Sequence, residues 1–98
     1  MKIIYLGAGY GRLNYNNVVY NDIDKNTKCD IIADMLTVNL DSYDILIATP
    51  PCNYYSKANY RRNKSYYSLA TKHLLPDIIK IFEKTKKPFI IENVINKN

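Results

Sequence analysis

No stretch of the 98-residue chain approaches the roughly 20 consecutive apolar residues that a membrane-spanning helix requires. The opening apolar run, Ile3-Ile4-Tyr5-Leu6, is too short for a secretion signal and leads directly into glycine. Both absences predict a cytoplasmic protein with no membrane attachment. Cysteine is scarce. Cys29 and Cys52 are too few for a disulfide scaffold, and without a secretion signal they are expected to be free thiols in a reducing compartment. Histidine is scarcer still: His73 stands alone, and neither it nor Cys29 has a second ligand at metal-binding spacing, so no metal site is predicted. Nine acids face fourteen bases, and the formal charge of +5 is compatible with a polyanionic partner. Repeats, low-complexity tracts and linkers are missing, so residues 1–98 are read as one small domain. A chain of this size hides only about 60–65 % of its unfolded surface, which leaves the core marginal unless a ligand or partner contributes.

What is present reads as globular, with 47 % apolar and 23 % charged residues. Five short β-branched runs predict strands at Lys2–Leu6, Val18–Asn21, Asp30–Ala33, Tyr43–Ala48 and Pro88–Glu92. They are nearly continuous rather than alternating, as expected of a parallel sheet covered on both faces. From Ser65 to Lys84, Leu74, Ile78, Ile81 and Phe82 recur at helical spacing, with Leu75 and Ile79 widening the stripe. Pro76 inside that span predicts a kink or a second helix that opens there. Strand four, helix and strand five then form a right-handed βαβ unit. The fold class is α/β, with about five mainly parallel strands. Residues 7–17 differ. Rich in glycine and asparagine, they form no evident helix, so the chain is expected to return bare and one sheet face to lack a lid.

Candidate chemistry follows the strands. Ala48-Thr49-Pro50-Pro51-Cys52 comes directly after strand four, and ligands in open α/β sheets bind beyond the carboxyl ends of the strands. Two prolines stiffen the turn that presents the Cys52 thiol. Strand five ends in Glu92-Asn93-Val94, which brings a carboxylate to the same sheet edge. A thiol nucleophile beside an acid is a covalent-catalysis pair; the plainer alternative is an inert buried cysteine and a turn-capping glutamate. Gly7-Ala8-Gly9-Tyr10-Gly11 after strand one is a weak signal alone. It gains weight from Asp22, placed to accept from ribose hydroxyls, and Asp34, placed to accept from an adenine amino group. Asp24 and Asp30 are read as solvated turn residues. Between Asn53 and Tyr67, Lys57, Arg61, Arg62 and Lys64 interleave with five tyrosines and no acid. That pattern suits phosphate contact and base stacking, or equally a solvated loop whose tyrosines pack on the next helix.

Together the glycine loop, Asp22, Asp34, Pro50-Pro51-Cys52 with Ser56 downstream, and Glu92-Asn93-Val94 resemble the DNA cytosine-5 methyltransferase family, in its phage and viral form. The resemblance runs from Lys2 to about Val94 and implies a truncated Rossmann-like methyltransferase sheet. It implies S-adenosylmethionine as cofactor, bordered by Leu6, Gly7, Gly9 and Pro51, with Asp22 at the ribose and Ile23, Asp34 and Met35 at the adenine. It implies Cys52 and Glu92 as catalytic residues acting on a cytosine flipped out of DNA. Ser56, Lys57, Arg61 and Arg62 would contact that DNA. An adenine amino-methyltransferase would instead carry an aromatic after Pro-Pro, where Cys52 stands.

The chain departs from the family pattern in several places. Leu6 replaces an aromatic, the usual acid near Tyr5 is missing, and the helix after the glycine loop is absent. No arginine follows Arg62, so the family's later arginine motif is missing, as is a target-recognition region. The Phe89-Ile90-Ile91 edge is thus expected to be open, which predicts a homodimer or a separate chain supplying the recognition half. The alternative is a catalytically inactive remnant that binds nucleic acid or protein.

Overall fold

The computed structural model describes residues 1–50 and 74–92. The expectations for Pro51, Cys52, Ser56, Lys57, Arg61, Arg62, His73 and the helix before Leu74 lie outside the described residues. Five strands form one all-parallel sheet: β1 (Ile3–Leu6), β2 (Val18–Asp22), β3 (Ile31–Ile32), β4 (Ile45–Ala48) and β5 (Phe89–Ile91). Their order is β3-β2-β1-β4-β5. The described residues between β4 and β5 include one α-helix, α1 (Leu74–Thr85), and two 3-10 turns cover Lys25–Thr27 and Met35–Thr37.

The expected strands are all present; β2 runs one residue further than expected, to Asp22, and the other four are slightly shortened. Backbone bonds account for most of the difference, since Lys2 and Pro88 accept from the next strand and Glu92 donates to one, each just beyond an assigned end. β3 shrinks most. Opposite Tyr20 the ladder is replaced by a side chain: the Tyr20 N–H donates to Asp30 Oδ2 at 2.9 Å. Asp30 is therefore exposed yet structural, which corrects its reading as a merely solvated turn residue. Asp24 is corrected likewise, because it caps the first 3-10 turn by accepting from the Asn26 N–H at 2.9 Å.

In-register parallel pairing puts partnered residues on one face. Ile4, Leu6, Leu46 and Ala48 line the face under α1 and are fully buried with Ile78 and Phe82 of the helix. The Phe82 ring lies 5.4 Å from that of Phe89, which joins the same layer. The helical spacing read from the sequence is the one that packs. Pro76 falls in the first described turn of α1, where a missing N–H costs least. Lys87, just past the helix, donates through Nζ to the Leu40 and Asp41 carbonyls at 2.7 and 3.0 Å, fastening that end to the chain before β4.

The opposite face carries Ile3, Tyr5, Ile45, Ile47 and Ile90. The first four are half-buried and Ile90 is 61 % exposed. α1, the one α-helix among the described residues, does not lie there, and residues 7–17 contain no helix. No described helix is long and apolar enough to cross a membrane.

Candidate active site

The carboxyl ends of β1, β2, β3, β4 and β5 share one edge because every strand points the same way. Gly7, Gly9, Asp22, Ile23, Asp34, Thr49 and Glu92 all follow those ends, so topology alone gathers the described candidates. An open hollow beside Ile31, Ala33, Thr37, Val38 and Tyr43 contains none of them.

The glycine loop is held by its own chain. Gly7 N–H donates to Asn21 Oδ1 at 3.4 Å, Ala8 N–H to the Asn21 carbonyl at 2.8 Å, and Gly9 N–H to Asp22 Oδ2 at 2.9 Å. Three successive amides are thus engaged internally, and among the described residues no helix N-terminus stands behind them. A dinucleotide or triphosphate site relies on free amides and a helix dipole at this place. Neither is offered by these residues, so the glycines do not form a phosphate cradle.

Gly7 and Gly9 adopt φ of +73° and +67°. A Cβ on Gly7 would stand 2.8 Å from the Thr49 carbonyl oxygen and 3.0 Å from the Met35 methyl carbon; at Gly9 and Gly11 it would meet open space. A graded series follows. Gly7→Ala is expected to destabilise by about 2–4 kcal/mol through strain plus collision, and Gly9→Ala by about 1–2 kcal/mol through strain alone. Gly11→Ala should stay within about 0.5 kcal/mol of the parent. Urea unfolding of the three variants checks this, and equal effects at positions 7 and 11 would contradict the loop geometry.

The acids behave differently from one another. Asp22 is half-buried; besides Gly9 it accepts from the Asp24 N–H through Oδ1 at 3.0 Å. Asp34 caps the second 3-10 turn, with Oδ1 accepting from the Leu36 N–H at 2.9 Å. Ile23, next to Asp22, is 67 % exposed, an apolar surface beside a carboxylate. Leu6 and Met35 sit in the core, Leu6 fully buried and Met35 8 % exposed. Tyr10 reaches over the loop and donates to Asp24 Oδ2 at 3.1 Å. That bond, with the charges of Asp24 and Asp22, holds the Tyr10 phenol above its ordinary value.

On the other side of β1, Thr49 fastens the end of β4 to the glycine loop. Its N–H donates to the Leu6 carbonyl at 3.0 Å and its Oγ1 to the Gly7 carbonyl at 2.7 Å. β4 and β5 pair up to Ala48 and Ile91, and the Glu92 N–H continues the ladder by donating to the Ala48 carbonyl at 2.9 Å. Glu92 is exposed. Its carboxylate therefore stands on the strand end adjacent to the one from which the Pro50-Pro51-Cys52 segment departs.

Asn21 and Arg12 are the residues that sequence reasoning missed. Asn21 is fully buried and its Nδ2 donates to the Ile31 and Ala33 carbonyls at 3.0 and 2.9 Å. A polar residue directly after the apolar Val18-Val19-Tyr20 run, within the same strand, was the available signal. Among the described residues, no group of His, Cys, Asp and Glu gathers to hold a metal.

A model of the family described as C-5 cytosine-specific DNA methylase matches residues 10–96. No curated protein and no solved structure matches the chain. The family match spans nearly all of the sequence and both strand ends just described, and the chain belongs to the C-5 cytosine-specific DNA methylase family.

Proposed function

We propose that this chain provides the cofactor-binding and nucleophile-bearing part of a DNA cytosine-5 methyltransferase, using S-adenosylmethionine. The observation that carries the reading is the Glu92 N–H to Ala48 carbonyl bond, which sets the Glu92 strand end beside that of Thr49-Pro50-Pro51-Cys52. Three peptide units separate Thr49 from Cys52, a reach of at most about 11 Å.

The groups at the edge suit this cofactor. Asp22 and Asp34 accept from hydroxyl and amino groups, Ile23 offers an apolar surface to a base, and the engaged amides disfavour a phosphate-bearing ligand. Asp22 is assigned to the ribose, Ile23, Asp34 and Met35 to the adenine side, and Leu6, Gly7, Gly9 and Pro51 to the methionine end. When bound, S-adenosylmethionine supplies an electrophilic methyl group. The chain's residues prepare the acceptor. The Cys52 thiolate forms a bond to C6 of a flipped cytosine while Glu92 protonates N3, and electron density moves to C5. After C5 is methylated, its proton leaves to a base, the C6–S electron pair returns to sulfur as thiolate, and N3 gives its proton back to Glu92. Ser56, Lys57, Arg61 and Arg62 are assigned to the DNA backbone.

The apolar face bearing Ile90 and the outer side of β5, where no described strand pairs, suit a second chain, either another copy or one carrying the recognition half. Such an interface would bury at least about 1,000 Å² in total. A monodisperse monomer in light scattering at micromolar concentration contradicts this part.

The function is tested by incubating the full chain with labelled S-adenosylmethionine and DNA, then digesting the DNA to nucleosides. Label in 5-methyldeoxycytidine is the expected result. The helix-free segment 7–17 favours a second reading, a non-catalytic module that binds nucleic acid or protein. DNA binding without label would select it.

A further inference from the structure

A glycine loop in an α/β sheet is ordinarily backed by the helix that follows it, and in this chain no helix occupies residues 7–17. Arg12 stands in that place. Its Nη1 donates to the Gly9 carbonyl at 2.9 Å, Nη2 to the Lys28 carbonyl at 3.1 Å, and Nε to Asn14 Oδ1 at 3.1 Å. The guanidinium lies over the Tyr20 ring, 5.8 Å from its centre. Tyr20 in turn donates from its hydroxyl to the Leu13 carbonyl and accepts from the Tyr15 N–H at 3.2 Å. Every polar group of the arginine is thus turned towards its own chain.

The two carbonyls it bridges belong to two separate loops, which wall the carboxyl edge of the sheet on either side of Arg12. Gly9 is in the loop after β1. Lys28, with φ of 55°, closes the 3-10 turn that follows Asp22 and Ile23. The same walls also meet where Tyr10 donates to Asp24 and where Cys29 Sγ approaches the Gly9 carbonyl at 3.9 Å. Arg12 is the cationic member of this set and the one that forks between the walls. A lysine could reach one carbonyl but has no planar fork to span both.

We propose that Arg12 is a positioning residue for the cofactor, holding the glycine loop at a fixed distance from the turn that carries Asp22 and Ile23. It touches no substrate; it sets the spacing of the two loops that receive the nucleoside. This rests on the S-adenosylmethionine reading above.

The test uses the full chain as wild type, Arg12→Ala and Arg12→Lys. Calorimetry measures affinity for S-adenosylmethionine and S-adenosylhomocysteine, thermal unfolding is followed without ligand, and amide exchange is recorded at Ala8 and Gly9. Arg12→Ala is expected to weaken both ligands roughly tenfold and Arg12→Lys several-fold, the scale of losing charge-assisted hydrogen bonds. Millimolar guanidinium should restore the affinity of Arg12→Ala and leave the wild type unchanged, a response that a general loss of stability does not give. Should Arg12→Ala fail to fold, Arg12→Lys decides. Affinity within about twofold of wild type, well below the melting temperature, overturns the inference. A wild type that binds neither ligand overturns the cofactor reading instead, and the exchange data still report on the clamp: unchanged exchange in Arg12→Lys shows that Arg12 does not hold the loop.

Discussion

Replacing Cys52 with alanine is expected to lower methyl transfer at least about 1,000-fold while leaving cofactor affinity unchanged. Cytosine C5 is a poor nucleophile because its ring is aromatic and electron-poor. Addition of a thiolate at C6 breaks that aromaticity, and no neighbouring oxygen nucleophile substitutes for a soft, readily ionised sulfur. Glu92→Gln keeps the shape of the side chain and removes the proton it would deliver to N3. A loss of roughly 100- to 10,000-fold is expected, the usual yield of a positioned general acid. Because the two groups act on one ring, the double variant should be little worse than Cys52→Ala alone. Single-turnover assays with saturating S-adenosylmethionine measure all three. Losses that simply multiply would mean that sulfur and carboxylate serve separate steps.

A stability effect of the same order as that of Gly7→Ala is expected at Asn21. Its side chain is fully buried and bonds the Ile31 and Ala33 carbonyls through one end and the Gly7 N–H through the other. Asn21→Ala orphans these backbone groups and should cost about 3 kcal/mol. That is a large share of the roughly 5–15 kcal/mol that holds a domain of this size together, and it corresponds to a fall in melting temperature of roughly 15 °C. Asn21→Asp is nearly isosteric yet should be worse. It loses both donors and sets a carboxylate against two carbonyl oxygens in the core. If the aspartate variant melts within a few degrees of the parent, the amide is not the tie between β2 and β3 described above.

Asn21 also shows where sequence reading stops. The five apolar runs and the helical recurrence of Leu74, Ile78, Ile81 and Phe82 were legible because burial imposes a period on a sequence, and the strands and helix face follow it. The want of a helix after β1 was legible too, from the glycines and asparagines of residues 7–17. What holds that segment was not. Arg12, Tyr20 and Asn21 act through bonds to backbone atoms distant in sequence, and such bonds leave no periodic trace. Asp30 is a related case: at the head of the predicted third strand it reads as solvated, and only the pairing of β2 with β3 sets it against the Tyr20 N–H. At the site, parallel topology made the gathering of Gly7, Asp22, Asp34 and Glu92 foreseeable, since carboxyl ends of parallel strands share an edge. Motif reasoning did not show that the side chains of Leu6 and Met35 belong to the core beneath that edge.

The thin cover of the sheet among the described residues connects these observations. Ile90 is exposed on a face that no described helix covers, and the glycine loop is tied by side chains instead of a helix. A second chain on that face would add buried area where a domain of this size is short of it.

The central claim is that one sulfur in this chain attacks a pyrimidine ring. DNA of randomised sequence carrying 5-fluorocytosine tests it most directly, because fluorine at C5 cannot leave as a proton does and the C6–S bond is trapped. With S-adenosylmethionine present, denaturing electrophoresis and mass spectrometry should reveal a protein–DNA species one methyl group heavier than its parts, anchored at Cys52 and lost in Cys52→Ser. Failure to form that species at saturating cofactor, or its persistence in Cys52→Ser, would contradict the account.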